Sequence, residues 1–168
     1  MKYSVTQHVN TIAVIATGMF AGIGLMVGVT FGLRWSSLEP AQLIQAFPQD
    51  WIQIAWTIIP IALVQTVFLA LSTRLAWSRR NVRNLWLIAL GLWIVNGVMT
   101  SIYHVPVVFQ AMSGSYTPDE LASTVTTWLA LHWLRIVIAL LTAYFAVSAA
   151  LKDAILTVKQ SHRREFSQ

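Results

Sequence analysis

Four long apolar blocks, 9–33, 51–75, 85–103 and 128–151, constrain this chain more than any other feature. Each is long enough to cross a ~30 Å hydrocarbon layer as a helix. Hydrophobic residues make up 57% of the 168 positions and charged residues only 10%, against roughly 25% charged in a soluble domain. The expected architecture is therefore an all-α integral membrane four-helix bundle, a single domain over residues 1–168. The first block follows a short N-terminus with Lys2, as a secretory signal would, but it far exceeds the usual signal core of about 7 to 15 residues and is read as a retained span.

Charge placement gives the expected orientation. Arg74, Arg79, Arg80 and Arg83 crowd the short second loop, Lys152, Lys159, Arg163 and Arg164 follow the last block, and Lys2 precedes the first. Glu39, Asp50, Asp119 and Glu120 mark the first and third loops, where Arg34 is the one basic residue. The positive-inside rule then places both termini in the cytoplasm and the two longer loops outside. The basic residues read as topology determinants that also suit anionic headgroups, so membrane lipids are the expected partners and nucleic acid is not. The chain has no cysteine, which excludes disulfides, thiolate metal ligands, iron–sulfur clusters and haem attached through Cys-x-x-Cys-His. His8 and His162 fall at the cytoplasmic termini and read as solvated residues.

Within the blocks, Gly18, Gly22, Gly24, Gly28 and Gly32 form overlapping small-xxx-small spacings, the pattern of a close helix-packing face. Arg34 to Asp50, with Pro40 and Pro48, reads as an outer loop ending at an interfacial anchor, Trp51. Pro60 predicts a kink in the second span, and Gln65 and Thr66 predict interhelical hydrogen bonds. In the third span Asn96, Thr100 and His104 follow one another at four-residue intervals along one helical face. Pro106 disfavours helical geometry at Val105, which predicts a helix end near His104. Ser113-Gly114-Ser115 is a turn signal, and Thr117-Pro118-Asp119-Glu120 predicts a helix start with a capping box.

The fourth block contains the residues that most need a reason. Trp128, His132 and Arg135 lie at i, i+4 and i+7, on one helical face. An arginine at a span centre costs at least ~2.5 kcal/mol, and intramembrane ionisable groups generally face a bundle interior. His104 closes the third span from the side on which His132 enters the fourth, so their imidazoles are expected at similar depth. Arg34, Trp51, Trp56 and Trp128 should surround that end, with outer carboxylates available to Arg135. This is the inventory of an apolar, aromatic small-molecule site with a few convergent polar groups.

Three chemistries fit it. A histidine acts as general base while Arg135 stabilises an oxyanion; or His104 and His132 ligate iron or copper, with a carboxylate as third donor; or the two histidines hold a haem axially. A fourth reading makes the histidine and arginine a structural tie between helices.

The layout resembles the anthrone oxygenase-like family of small four-span membrane proteins. The resemblance is carried by the glycine-rich first span (Gly18, Gly22, Gly24), by Thr100, His104 and Pro106 at the end of the third, and by Trp128-x-x-x-His132-x-x-Arg135. The family's usual asparagine-x-proline-x-asparagine turn is replaced, with His104 and Val108 in the asparagine places. The resemblance implies an oxygenase that converts an anthrone to an anthraquinone with molecular oxygen, without haem or flavin. It makes His132 the base, Arg135 the oxyanion or superoxide stabiliser, Trp128 a wall for a planar substrate and His104 a second acid/base or a metal ligand. Asn96, Thr100 and Trp56 join Trp128 as expected substrate contacts. The expected location is a bacterial inner membrane. The competing expectation is a non-catalytic subunit that binds a lipid, quinone, pigment or haem, or that packs into a homo-oligomer or larger complex.

Overall fold

A computed structural model describes the backbone of residues 2–165 and the side chains of residues 5–159. The side chains of Lys2, His162, Arg163 and Arg164, used above for topology, lie outside the described residues. The chain folds as four antiparallel helical rods, each long and apolar enough to cross a membrane. Helix α1 runs over Lys2–Met26 and continues through a π-helical turn, Val27–Phe31, into Gly32–Ser37. Helix α2 is Pro40–Leu75. Helix α3 runs over Arg80–Met99 and through a second π turn, Thr100–His104, into Val105–Met112. Helix α4 is Pro118–Glu165. Helix α4 packs against the other three, and α1 and α3 flank α2. One end of the bundle thus carries the turns at 38–39 and 113–117, and the other carries the termini and the turn at 76–79.

Two expectations about helix ends are corrected. Arg34 to Asp50 is not a loop: α1 reaches Ser37 and α2 starts at Pro40. Proline at the first helical position loses no helix bond, and Glu39 and Gln42 close a capping box around it. Leu43, Phe47, Asp50 and Ile54 then fall on one buried stripe at helical spacing, so burial of that face outweighs the missing N–H of Pro48. The third span likewise does not end at His104. The turn Thr100–His104 is π-helical, closed by the Val105 N–H to the Thr100 carbonyl. That wider turn lets Pro106 sit in the first turn of the segment that follows, and the helix runs on for eight residues, burying Val107, Val108 and Ala111. No helix terminus therefore lies beside His104.

The turns form as their residues require. Gly114 has φ +70, and the bonds from Gly114 N to Ala111 O and from Ser115 N to Gln110 O make the left-handed stop of a Schellman motif. The capping box at the start of α4 forms, with Glu120 accepting from the Thr117 N–H at 2.8 Å and Thr117 Oγ1 accepting from the Glu120 N–H at 3.4 Å. At the opposite end Arg79 ion-pairs with buried Asp153, which also accepts from Asn10 Nδ2 at 3.1 Å. This ties α1, α4 and the 76–79 turn together. Arg83 lies over the Trp77 ring, 5.1 Å from its centroid.

The glycine face is half used within the bundle. Gly24, Gly28 and Gly32 lie against Ile136, Trp133 and Leu129 of α4, and a Cβ on Gly28 would come to 2.9 Å from Ile136 Cδ1. Gly18 and Gly22 face open space. Deeper in the bundle the interhelical bond expected of Thr66 is present, donated by Trp93 Nε1 at 3.0 Å. Gln65 is buried with Oε1 unpartnered.

Candidate functional site

The two π turns and the middle of α4 meet in the half of the bundle nearest the 38–39 and 113–117 turns. Trp128 lies ten residues along α4, about 15 Å from its start on a 1.5 Å rise, and Arg135 lies roughly 10 Å deeper. Trp128, His132 and Arg135 are 0%, 4% and 5% exposed, and His104 is 1% exposed. The shared helical face read from their spacing is therefore the buried face.

The imidazoles converge. Their centroids are 6.3 Å apart, and Trp128 contacts both, stacked on His132 at 4.9 Å and 13° and edge-on to His104 at 4.8 Å. Around them Trp35, Phe47 and Trp51 pack against the Trp128 indole with centroids 5.7 to 5.9 Å away, and Tyr103 lies edge-on to His104.

Backbone carbonyls fix which nitrogen of each ring is free. His132 Nε2 is 3.0 Å from the Gly24 carbonyl, and His104 Nδ1 is 3.3 Å from the Met99 carbonyl. A carbonyl only accepts, so each of those nitrogens carries the proton. The remaining nitrogens, Nδ1 of His132 and Nε2 of His104, are buried without a partner, as is Nη1 of Arg135. A buried polar atom left unpaired costs about 1–3 kcal/mol, more when charged. Two basic lone pairs and one cationic N–H are thus held unsatisfied among aromatic walls.

Asn96 occupies the other side of Arg135. Its Oδ1 accepts from Arg135 Nε at 3.2 Å and its Nδ2 donates to the Arg135 carbonyl at 2.9 Å. Both ends of the amide are therefore committed to joining α3 to α4. Thr100 is half-buried and donates to the Asn96 carbonyl. The carboxylate expected for Arg135 is not there. Asp50, the buried carboxylate at this end, is bound by Arg34 at 2.9 and 3.0 Å and by Trp35 Nε1 at 2.9 Å. Among the described residues the ion pairs are Arg34–Asp50 and Arg79–Asp153, so Arg135 has no counter-charge of its own.

Trp56 does not join the site; at 79% exposed it points out of the bundle. Trp35, Phe47 and Asp50 do join it, and the first two were not singled out from the sequence. A signal existed: Trp35 continues the Gly28, Gly32 face at i+7, and Phe47 and Asp50 share the helical stripe of Leu43.

The three-donor set expected for a metal is not assembled. Among the described residues no group of three His, Cys, Asp or Glu side chains converges, so the two histidines lack the carboxylate that a two-histidine, one-carboxylate iron site takes. For haem the obstacle is steric. The Trp128 indole lies against both imidazoles, at 4.8 and 4.9 Å, and would crowd a macrocycle held between them.

Fold and centre together define an all-α membrane bundle of four spans with a sealed His–His–Arg centre in an aromatic cage. No family model, curated protein or solved structure matches the chain.

Proposed function

We propose that this protein is a membrane-embedded oxidoreductase of the anthrone oxygenase-like kind, acting on a hydrophobic aromatic substrate of anthrone or phenol type. The observation that carries the reading is the free Nδ1 of His132. Its ring is oriented by the Gly24 carbonyl, is backed by Trp128, and stands one helical turn from an arginine nitrogen without a partner. A neutral imidazole in that setting is a general base. The guanidinium is an oxyanion stabiliser in a medium of low dielectric.

The reaction is written with dioxygen as oxidant. His132 takes a proton from the activated CH2 of the substrate, and the carbanion's negative charge spreads onto the substrate oxygen facing Arg135. One electron passes to dioxygen, and recombination forms a C–O bond and a peroxide. Loss of the second hydrogen and cleavage of O–O leave a C=O group and one water. His104, with Nε2 free, is the second acid/base. Trp128 walls the ring of the substrate, and Asn96 holds Arg135 in place.

The arginine-rich 76–79 turn and its flanks support termini on the cytoplasmic side of a bacterial inner membrane, with the site in the outer half. The test is oxygen uptake by the purified protein in lipid with an anthrone substrate. Uptake that depends on His132 supports the reading; no uptake, or uptake unchanged in His132→Ala, refutes it.

One observation favours the second reading, a non-catalytic subunit of an oligomer or larger complex. Gly18 and Gly22 present an uncovered small-residue strip on α1, which suits a further helix.

A further inference from the structure

Resting on the reading of the triad as a site, we infer that the ligand of this centre carries an acidic O–H group and is held as its oxyanion, paired with Arg135, its proton kept on an imidazole. The unpaired atoms define the complement. Nδ1 of His132 and Nε2 of His104 are acceptors that call for a proton, and Nη1 of Arg135 is a cationic donor that calls for negative charge. All three side chains are more than nine-tenths buried.

An aliphatic ligand satisfies none of these atoms, and an ether at most the guanidinium. A ketone satisfies only the guanidinium. A phenol, an enol or a carboxylic acid satisfies the donor and an acceptor together. The O–H bond breaks, its proton moves to an imidazole lone pair, and the electron pair stays on the ligand oxygen opposite the guanidinium. No oxidant takes part.

Charge placement points the same way. The nearest buried carboxylate, Asp50, is bound by Arg34 and Trp35, and Asn96 offers Arg135 a neutral oxygen. An oxyanion set against the guanidinium supplies the partner the protein lacks, while the transferred proton leaves its charge on the imidazole and the net charge of the centre unchanged. Trp35, Phe47 and Trp51 pack around Trp128, and Tyr103 lies against His104; aromatic surroundings of this kind suit a ligand with a planar apolar body.

The probe is 4-nitrophenol, whose neutral and ionised forms absorb at different wavelengths, with 4-nitroanisole as the partner that has no proton to give. The protein in lipid nanodiscs is titrated at a pH one unit below the solution pKa of the phenol. The bound phenol is expected to show the phenolate band, and nitroanisole to bind about ten- to a hundredfold more weakly, as loss of a charged hydrogen bond implies. Arg135→Gln is expected to lose the band and a similar factor in affinity, while Arg135→Lys keeps the band.

Equal binding of phenol and ether overturns the inference. So do a neutral-phenol spectrum, absence of saturable binding, which would leave a trapped water as the centre's occupant, and a phenolate band that survives Arg135→Gln. Should that variant not fold, the phenol and ether comparison on the native protein decides alone. Because no turnover is measured, failed oxygenase activity leaves this result standing, and turnover without ionised binding refutes the inference alone.

Discussion

At the scale of single residues, the centre separates groups that hold the bundle from groups left free for chemistry. Asn96 belongs to the first kind. Asn96→Ala removes two hydrogen bonds between α3 and α4 and strands buried atoms of Arg135, so it should destabilise by about 2–6 kcal/mol at 1–3 per stranded group. Thermal unfolding in detergent measures this, and an unchanged midpoint would deny the tie.

Asp50 is of the same kind. Asp50→Ala leaves the buried Trp35 Nε1 unpaired and should cost about 1–3 kcal/mol in the same assay; Arg34, half exposed, adds little because water takes over its charge. His132 joins α4 to α1 through the Gly24 carbonyl, and in the proposed function its free Nδ1 is the general base. Loss of a general base lowers turnover by about 10²–10⁴, so His132→Ala should abolish oxygen uptake while the unfolding midpoint falls only modestly. A large loss of stability with turnover retained would make His132 a tie. The spacing of Trp128, His132 and Arg135 made them legible in the sequence because an arginine in a span has few places to go. The occupation of Asp50 was not legible, since pairing depends on which helices lie side by side.

At the scale of elements, the helices were legible in number and type but their ends were not. Prolines 40, 48 and 106 read as breaks because proline removes a donor, yet one serves as a helix start, one is carried by a buried stripe, and one follows a π turn. The apolar periodicity of Leu43, Phe47 and Ile54 was the stronger signal, since burial of a whole face outweighs one lost bond. The glycine face was legible as a face, but the sequence did not say that only Gly24, Gly28 and Gly32 meet α4. This yields a contrast: Gly28→Leu must displace Ile136 and Trp133 and should cost about 1–3 kcal/mol by overpacking, whereas Gly18→Leu points into open space and should cost nothing inside the bundle. Paired unfolding measurements test it, and equal midpoints would refute the packing. Both π turns sit at the centre, a placement common for functional sites. The turn at Thr100–His104 brings His104 inward, beside Trp128.

At the scale of the whole molecule, the bundle is asymmetric along its axis. The end with the 76–79 turn is basic and closed by Arg79, Asp153 and Asn10, and the other half holds the sealed aromatic centre. The proposed orientation can be read out cleanly because the chain has no native cysteine. In intact cells Ser115→Cys should react with a membrane-impermeant maleimide, and Ser78→Cys only after the membrane is opened; the reverse pattern would invert the topology. In the proposed function His132, backed by Trp128 and one turn from an Arg135 that lacks a counter-charge, is a catalytic base and not a brace. Oxygen uptake with an anthrone substrate, for native protein and His132→Ala side by side in lipid, tests it most directly. The account predicts substrate-dependent uptake in the native protein and its loss in a folded variant. Equal uptake by the two, or none by the native protein, would contradict it.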